Sequence, residues 1–330
     1  MPRVDHLVLV GDVGGTFARF ALARDGLLLN APQRLERGPW PDLSSACRHY
    51  LAAHGGGLQI DGLSIAAAGR VQHGRIAMTN AAWSIDPAVL SADLGVSIGQ
   101  VTVLNDFGAL AWAMPALPPE DLVPVAPGSP PAGRADGNRV VLGPGTGLGV
   151  AALIRTSGGW QPLPTEGGHA SCAAETPLER AALELAHARF GRVSWERVLS
   201  GPGLALLHEA ARLEAGLAPE AADPAAVVER CARSDAVALR AARAFLDWLG
   251  AFAGDLALLY DAAGGVVIAG GVVPRIAAVV PLDTIRRRFE AKGRFEPWLQ
   301  TVPLDLLAAP FAALRGAAIA YRNQPPDPSR

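Results

Sequence analysis

The stretch LVLVGDVGGTFARFALA, from Leu7 to Ala23, constrains this chain more than any other segment. One apolar run enters, a turn containing Asp12, Gly14, Gly15 and Thr16 interrupts it, and a second apolar run leaves. That is a strand–turn–strand pattern. Residues without a β-carbon let a backbone approach a ligand closely, with amide groups turned outward as donors. Asp12 stands at the mouth of the turn, where a carboxylate could hold a hydrated magnesium ion. The same design recurs in RVVLGPGTGLGVAALI, from Arg139 to Ile154. Two such hairpins, far apart in the chain, point to a duplicated architecture that grips a phosphate chain from both sides.

A length of 330 residues suggests two domains at the usual ~150 residues each. No stretch approaches the ~20 apolar residues that span a bilayer. The start, MPRVDHLVLV, lacks a long apolar segment ahead of a small-residue cleavage site, so neither a membrane nor a secreted location is expected. A formal net charge of −2 provides no basic field for nucleic acid. The run Arg286, Arg287, Arg288 is expected on the solvated face of a helix. Cys47, Cys172 and Cys231 are odd in number and widely spaced, which fits reduced cytoplasmic thiols rather than disulfides.

The first hundred or so residues alternate short apolar runs with polar breaks. HLVLV, RFALA, LSIAAAG and VTVLND read as strands, and LSSACRHYLAAHG reads as a helix with Leu43, Ala46, Cys47, Tyr50 and Leu51 on one face. This is the pattern of an α/β layer. From Met114 to Arg139 the composition turns to proline and glycine, and an extended connection at the seam between domains is expected. Further on the chain becomes mainly helical. Thr176, Pro177 and Glu179 form an N-cap signature, and helices are expected around Gly203–Glu214, Pro224–Leu259 and Ala312–Arg322. VVIAGGVV, Val266 to Val273, reads as a buried strand broken by a glycine pair.

Several polar residues stand where chemistry is possible. In VTVLNDFGALAWAM a strand ends, Asn105 and Asp106 follow, and a helix begins. Ligands of open α/β sheets bind beyond the carboxyl ends of strands, so Asp106 is placed to act as a base on a substrate hydroxyl; it could equally cap the helix. In LPTEGGHAS, Gly167 and Gly168 leave Glu166 and His169 on one turn, suited to vicinal sugar hydroxyls or simply exposed. Zinc is disfavoured, since His169 and Cys172 have no further Cys or His close by in the sequence. Glu196, in VSWERVLSGPG, stands in the first turn of a helix capped by Ser194, where interaction with the helix dipole is the simpler reading. The turn at Gly143–Gly149 is no Walker P-loop, because no Lys follows its last glycine. Neither glycine turn is a dinucleotide fingerprint, because β-prone runs follow both.

Taken together, GDVGGT, MTNAAW, LNDF, GPGTGLG, PTEGGH, ERVLSGPGL and IAGGVVPR, in that order, resemble the bacterial glucokinase family. The resemblance runs from Gly11 to about Tyr321. It implies an α/β, two-domain actin/hexokinase-like (ribonuclease H-like duplicated) fold with a cleft between domains. Residues 1–110 with about 312–324 would form the small domain, 111–311 the large one, and 325–330 a disordered tail. It further implies that Gly11, Asp12, Val13, Gly14, Gly15 and Thr16 meet the γ-phosphate side of ATP, with Asp12 assisting Mg2+, and that Gly145, Thr146 and Gly147 meet the remaining phosphates. Gly270 and Gly271 would lie against the adenosine. Asn105, Asp106, Glu166, His169 and Glu196 would bind glucose, with Asp106 as base. The family often has Asn after GGT, where this chain has Phe17, and the zinc motif of the related repressor-type sugar kinases is absent.

The implied activity is direct in-line phosphoryl transfer from Mg·ATP to the 6-hydroxyl of glucose in the cytoplasm, by a homodimer whose domains close on the sugar. The alternatives are a kinase of another hexose or amino sugar, and a sugar sensor without turnover. Asp12 and Asp106 are both present, which a pure sensor could lose.

Overall fold

In the computed structural model, which describes residues 3–54, 59–77, 83–127, 129–130, 133–220 and 222–323, the opening hairpin forms as its alternation dictates. β1 (Val8–Val13) pairs antiparallel with β2 (Phe17–Arg24), Val13 opposite Ala18. β3 (Leu27–Leu28) and β4 (Gln33–Glu36) extend from β2. β5 (Gly62–Ala67) runs parallel to β1. After a small sheet of β6 (Val71–Gln72), β7 (Arg75–Ala77) and β8 (Ser84–Ile85), β9 (Val101–Asn105) lies parallel to β5. These elements belong to the first of two compact units, which holds the residues up to Leu117 and those from Ala309 onward.

β1 is buried on both faces, so it reads as a continuous apolar run. Leu9 and Val13 pack with Ala46, Cys47 and Tyr50 of helix Leu43–His54. Val8 and Val10 pack with Leu314, Ala317 and Ala318 of helix Ala312–Asn323 and with Ala109 of helix Asp106–Ala113. Each fully buried Val or Leu side chain among these contributes about 1.5–3 kcal/mol. The last two helices cross at backbone contact: a Cβ on Gly316 would fall 1.7 Å from the Ala109 carbonyl oxygen. That crossing fixes the helix that begins at Asp106.

The second unit, Pro118–Ala308, repeats the plan. β10 (Leu122–Pro124), β11 (Arg139–Pro144), β12 (Leu148–Thr156), β13 (Gly159–Thr165), β14 (Gly265–Ile268) and β15 (Leu304–Leu307) form one sheet in the order β10-β15-β14-β11-β12-β13. β11 and β12 are an antiparallel hairpin, and β14 and β15 run parallel to β11. A hairpin followed by two parallel strands is thus common to both units. Helix Ala236–Tyr260 supplies Phe245, Trp248, Leu249 and Phe252 to the second core.

Several expectations change. The glycine pair does not interrupt a strand: β14 ends at Ile268, Gly270 takes φ +87°, and helix Val272–Ala277 follows. The long helix expected from Pro224 is two, Pro224–Ala232 and Ala236–Tyr260, because Ser234 adopts φ +60° and Asp235 caps the second. The Pro/Gly-rich stretch contains two 3-10 turns, Met114–Ala116 and Pro119–Asp121, besides β10. The arginine run is not a solvated face. Arg286 is 8% exposed and donates to the carbonyls of Val302, Leu299 and Gln300, Arg288 pairs with Glu175 and Glu179, and only Arg287 is open to solvent. The Thr176–Glu179 capping box forms. All three cysteines are free thiols. Among the described residues no helix is long and apolar enough to cross a membrane. Residues 325–330 and most of MTNAAW lie outside the described residues.

Candidate active site

In the first unit, the parallel pairing of β1, β5 and β9 aligns Val13 with Ala67 and Ala67 with Asn105. The first turn and Asn105–Asp106 therefore leave the same end of one sheet, two strands or roughly 10 Å apart. Gly11 and Val13 face the core; a Cβ on Gly11 would lie 2.6 Å from Ile65 Cδ1. Gly15 and Thr16 are exposed at the tip, and the Gly14 N–H closes the turn on the Phe17 carbonyl at 2.9 Å.

Asp12 is held by a partner absent from the expected set. Arg19 Nη1 donates to Asp12 Oδ2 at 2.9 Å, which follows from β1–β2 register, since Asp12 and Arg19 are cross-strand partners. Burial raises the Asp12 carboxyl above the ordinary carboxylate value, and the guanidinium opposes that rise. Phe17 lies under a cation as well: the Arg34 guanidinium stacks over its ring, 3.4 Å from the centroid. No group of three or more His, Cys, Asp or Glu able to hold a metal occurs among the described residues. Magnesium asks for less, because it keeps several waters and takes one or two carboxylates beside phosphate oxygens. Asp12, a carboxylate beside the outward amides of the first glycine turn, fits that donor set.

The helix cap falls on Asn105 rather than Asp106. Asn105 Oδ1 accepts from the N–H groups of Phe107 and Gly108 at 2.9 and 3.2 Å, and its amide donates to the Gly69 carbonyl at 3.0 Å. Asp106 is then the first helical residue, with Oδ1 accepting from Phe107 N–H at 3.0 Å.

In the second unit three expected side chains come together. His169 Nε2 lies 4.0 Å from Glu166 Oε2 and 3.9 Å from Glu196 Oε1. Glu196 Oε2 accepts from Leu148 N–H at 3.0 Å, immediately beyond Gly147. The Glu196 carboxylate is thus aimed at the second turn and not spent on its own helix end. Ser194 occupies the N-cap position but makes no side-chain capping bond. The bridge between Ser171 and Ser194, and the Trp195 N–H to Ala170 carbonyl bond at 3.0 Å, hold the two segments side by side. Arg192, which the sequence reading missed, donates to the His169 carbonyl at 2.7 Å. A cavity of about 200 Å3 opens beside Thr146 and Glu196, lined also by Arg189, Phe190, Arg197 and Ser200. Gly270 abuts the end of β11: a Cβ there would fall 2.4 Å from the Pro144 carbonyl oxygen, so the glycine pair adjoins the second turn.

Duplicated hairpin sheets, each bearing a glycine turn with acids beside it, make an α/β fold of the actin/hexokinase type. The glucokinase family model matches residues 9–324. The glucokinase of Nitrobacter hamburgensis is 40% identical over 313 residues, covering 94% of this chain and 96% of its own. That of Paramagnetospirillum magneticum is 41% identical over 318 residues, covering 96% and 97%. The crystal structure of a glucokinase from an Antarctic psychrotroph aligns with a TM-score of 0.86 at 33% identity, covering 96% of this chain and 99% of that one. The chain belongs to the glucokinase family.

Proposed function

We propose that this protein transfers the γ-phosphoryl group of ATP to the 6-hydroxyl of glucose, giving glucose 6-phosphate and ADP, in the cytoplasm and as a homodimer. The reading rests above all on the acid–imidazole–acid cluster of Glu166, His169 and Glu196 tied to the second glycine turn through Leu148. Two carboxylates and an imidazole on one face offer acceptors and a donor for adjacent hydroxyls. A sugar lacking one of those hydroxyls leaves a polar group unpaired, which is the basis of discrimination.

Asp106 takes or orients the proton of the attacking hydroxyl, with Asn105 fixing the start of its helix. The amides of Gly15 and Thr16 receive the terminal phosphate and those of Thr146 and Gly147 the inner phosphates, the Gly14 and Gly145 amides closing their turns on the Phe17 and Gly147 carbonyls, and Gly270 and Gly271 meet the adenosine. Asp12 would hold magnesium through a water, and the metal would supply neutralisation of the charge that develops on the phosphates. Phosphoryl transfer asks the protein chiefly for positioning and electrostatic stabilisation.

Steady-state kinetics of the parent and of Asp106→Ala with a panel of hexoses test this reading. The expected result is preference for glucose, and a kcat for Asp106→Ala lower by at least about 10^2–10^4-fold, the usual worth of general-base catalysis, with a much smaller change in glucose binding. A near-parent kcat would overturn the base assignment, a better hexose would overturn glucose, and no ADP release with any hexose would overturn the kinase.

A further inference from the structure

Arg37 is a buried cation that the mechanism above does not use; it is 7% exposed. Its Nη1 donates to the Gly14 carbonyl at 2.9 Å and to the Gly15 carbonyl at 2.8 Å. Its own backbone N–H donates to the Thr16 carbonyl at 3.1 Å. Three consecutive carbonyls of the first turn therefore converge on one residue. The guanidinium lies over the Trp83 ring, 4.3 Å from the centroid. Trp83 is in turn tied back: its indole N–H donates to the Trp40 carbonyl at 3.1 Å, and the Trp40 N–H donates to the Arg37 carbonyl at 3.0 Å.

The consequence follows from peptide geometry. Across a planar trans peptide, a carbonyl and the next N–H point in opposite directions. With the Gly14 and Gly15 carbonyls held toward Arg37, the N–H groups of Gly15 and Thr16 are turned away from it, at the exposed tip. Two adjacent glycines otherwise leave these peptide planes many orientations. A flip of either would exchange a donor for a carbonyl oxygen facing the phosphate. Stability alone is a poor reason for this arrangement, because Arg37 Nε has no partner among the described residues and a buried cation stabilises less than apolar packing of the same volume.

We propose that Arg37 is a positioning residue for the phosphoryl donor, locking the first turn so that the Gly15 and Thr16 amides face the terminal phosphate of ATP. This rests on the proposed function. The test compares the parent with Arg37→Lys and Arg37→Gly by kinetics and by calorimetry with ATP and, separately, with glucose. Loss of a charge-assisted hydrogen bond is expected to weaken ATP affinity and raise the KM for Mg·ATP at least about tenfold. Glucose affinity should stay near the parent value. Methylguanidinium added to Arg37→Gly should restore ATP affinity where methylammonium does not. Parent-like ATP affinity in both variants would overturn the proposal, as would an equal loss of ATP and glucose affinity that methylguanidinium leaves unchanged. Should Arg37→Gly fail to fold, Arg37→Lys decides through the same ATP and glucose isotherms. A parent that binds ATP but phosphorylates no sugar refutes the proposed function alone, and the ATP isotherms still decide Arg37; a parent that binds no ATP refutes both.

Discussion

Gly147→Ala separates the proposed sugar role of Glu196 from a structural one. A Cβ on Gly147 would lie 2.5 Å from Glu196 Oε2 and 3.2 Å from its Cδ. Gly147 is not in the left-handed region, so alanine suits the backbone and the clash falls on the carboxylate. To reach ordinary van der Waals contact the carboxylate must retreat by about 1 Å. It then leaves the Leu148 N–H, now 3.0 Å away, and loses its alignment with His169. If Glu196 accepts a hydrogen bond from glucose, the shift removes an interaction worth about 1.5–3 kcal/mol, a roughly 10- to 150-fold weaker Kd. Calorimetry with glucose and no nucleotide reads this directly, with a thermal melt to confirm folding. Gly145→Ala is the control: a Cβ there meets nothing within 4 Å, so glucose affinity should stay at the parent value. Glu196→Gln, which changes charge without displacing atoms, should weaken glucose binding in the same direction. Parent-like glucose affinity in both Gly147→Ala and Glu196→Gln would refute the assignment of Glu196 to the sugar.

The arginine run offers a second test: Arg286→Met leaves three carbonyls and Glu290 without their buried partner and should destabilise by about 3–5 kcal/mol in urea titration, while Arg287→Ala should stay within about 0.5 kcal/mol. A third concerns Asp305, whose carboxyl burial pushes up to about 6, with Arg286 opposing. A raised carboxyl pKa means that the folded state binds this proton more tightly than the unfolded chain, so the group's contribution to stability is greatest at low pH and declines as pH rises from about 4 through 6. Asp305→Asn should therefore raise Tm at pH 7 and above, with the difference from the parent vanishing near pH 4; a lower Tm at pH 7 would contradict it.

What the sequence disclosed and what it hid divide along a physical line. The hairpin at Asp12–Thr16, the Thr176–Glu179 capping box and the buried face of Leu43–His54 depend on neighbours within a few residues, and the chain writes such dependence locally. Arg286 could not be read that way. A charge run looks solvated until the carbonyls of Leu299, Gln300 and Val302, far along the chain, are seen to receive it. Arg37 was missed for the same reason, since its acceptors lie on another turn. Asp106 reads as a cap from the sequence, but the cap falls to Asn105, whose Oδ1 takes the Phe107 and Gly108 N–H groups while its amide reaches the Gly69 carbonyl. At Glu196 the local reading favoured the helix dipole, yet the carboxylate turns to Leu148, where the absence of a Cβ on Gly147 makes room. The segment after Ile268 continues to look like a strand by composition, and only the φ of Gly270 ends it.

The two turns share a local design but carry buttresses of opposite charge, and this bears on which end of ATP each would meet. At the first turn a cation, Arg37, occupies the carbonyls of Gly14 and Gly15, so the amide side is left to a ligand. At the second an anion, Glu196, consumes the Leu148 amide, and the Gly145 carbonyl is taken by Gly201 N–H at 2.8 Å. The terminal phosphate is the most highly charged part of the nucleotide, and placing it against Glu196 would set like charges side by side. At about 4 Å and an effective dielectric of ~20, such a contact costs about 4 kcal/mol per unit charge. A neutral sugar hydroxyl pays no comparable penalty there and finds an acceptor. Glu196 thus weighs against the terminal phosphate at its own carboxylate and is suited instead to a sugar hydroxyl, in keeping with the proposed function.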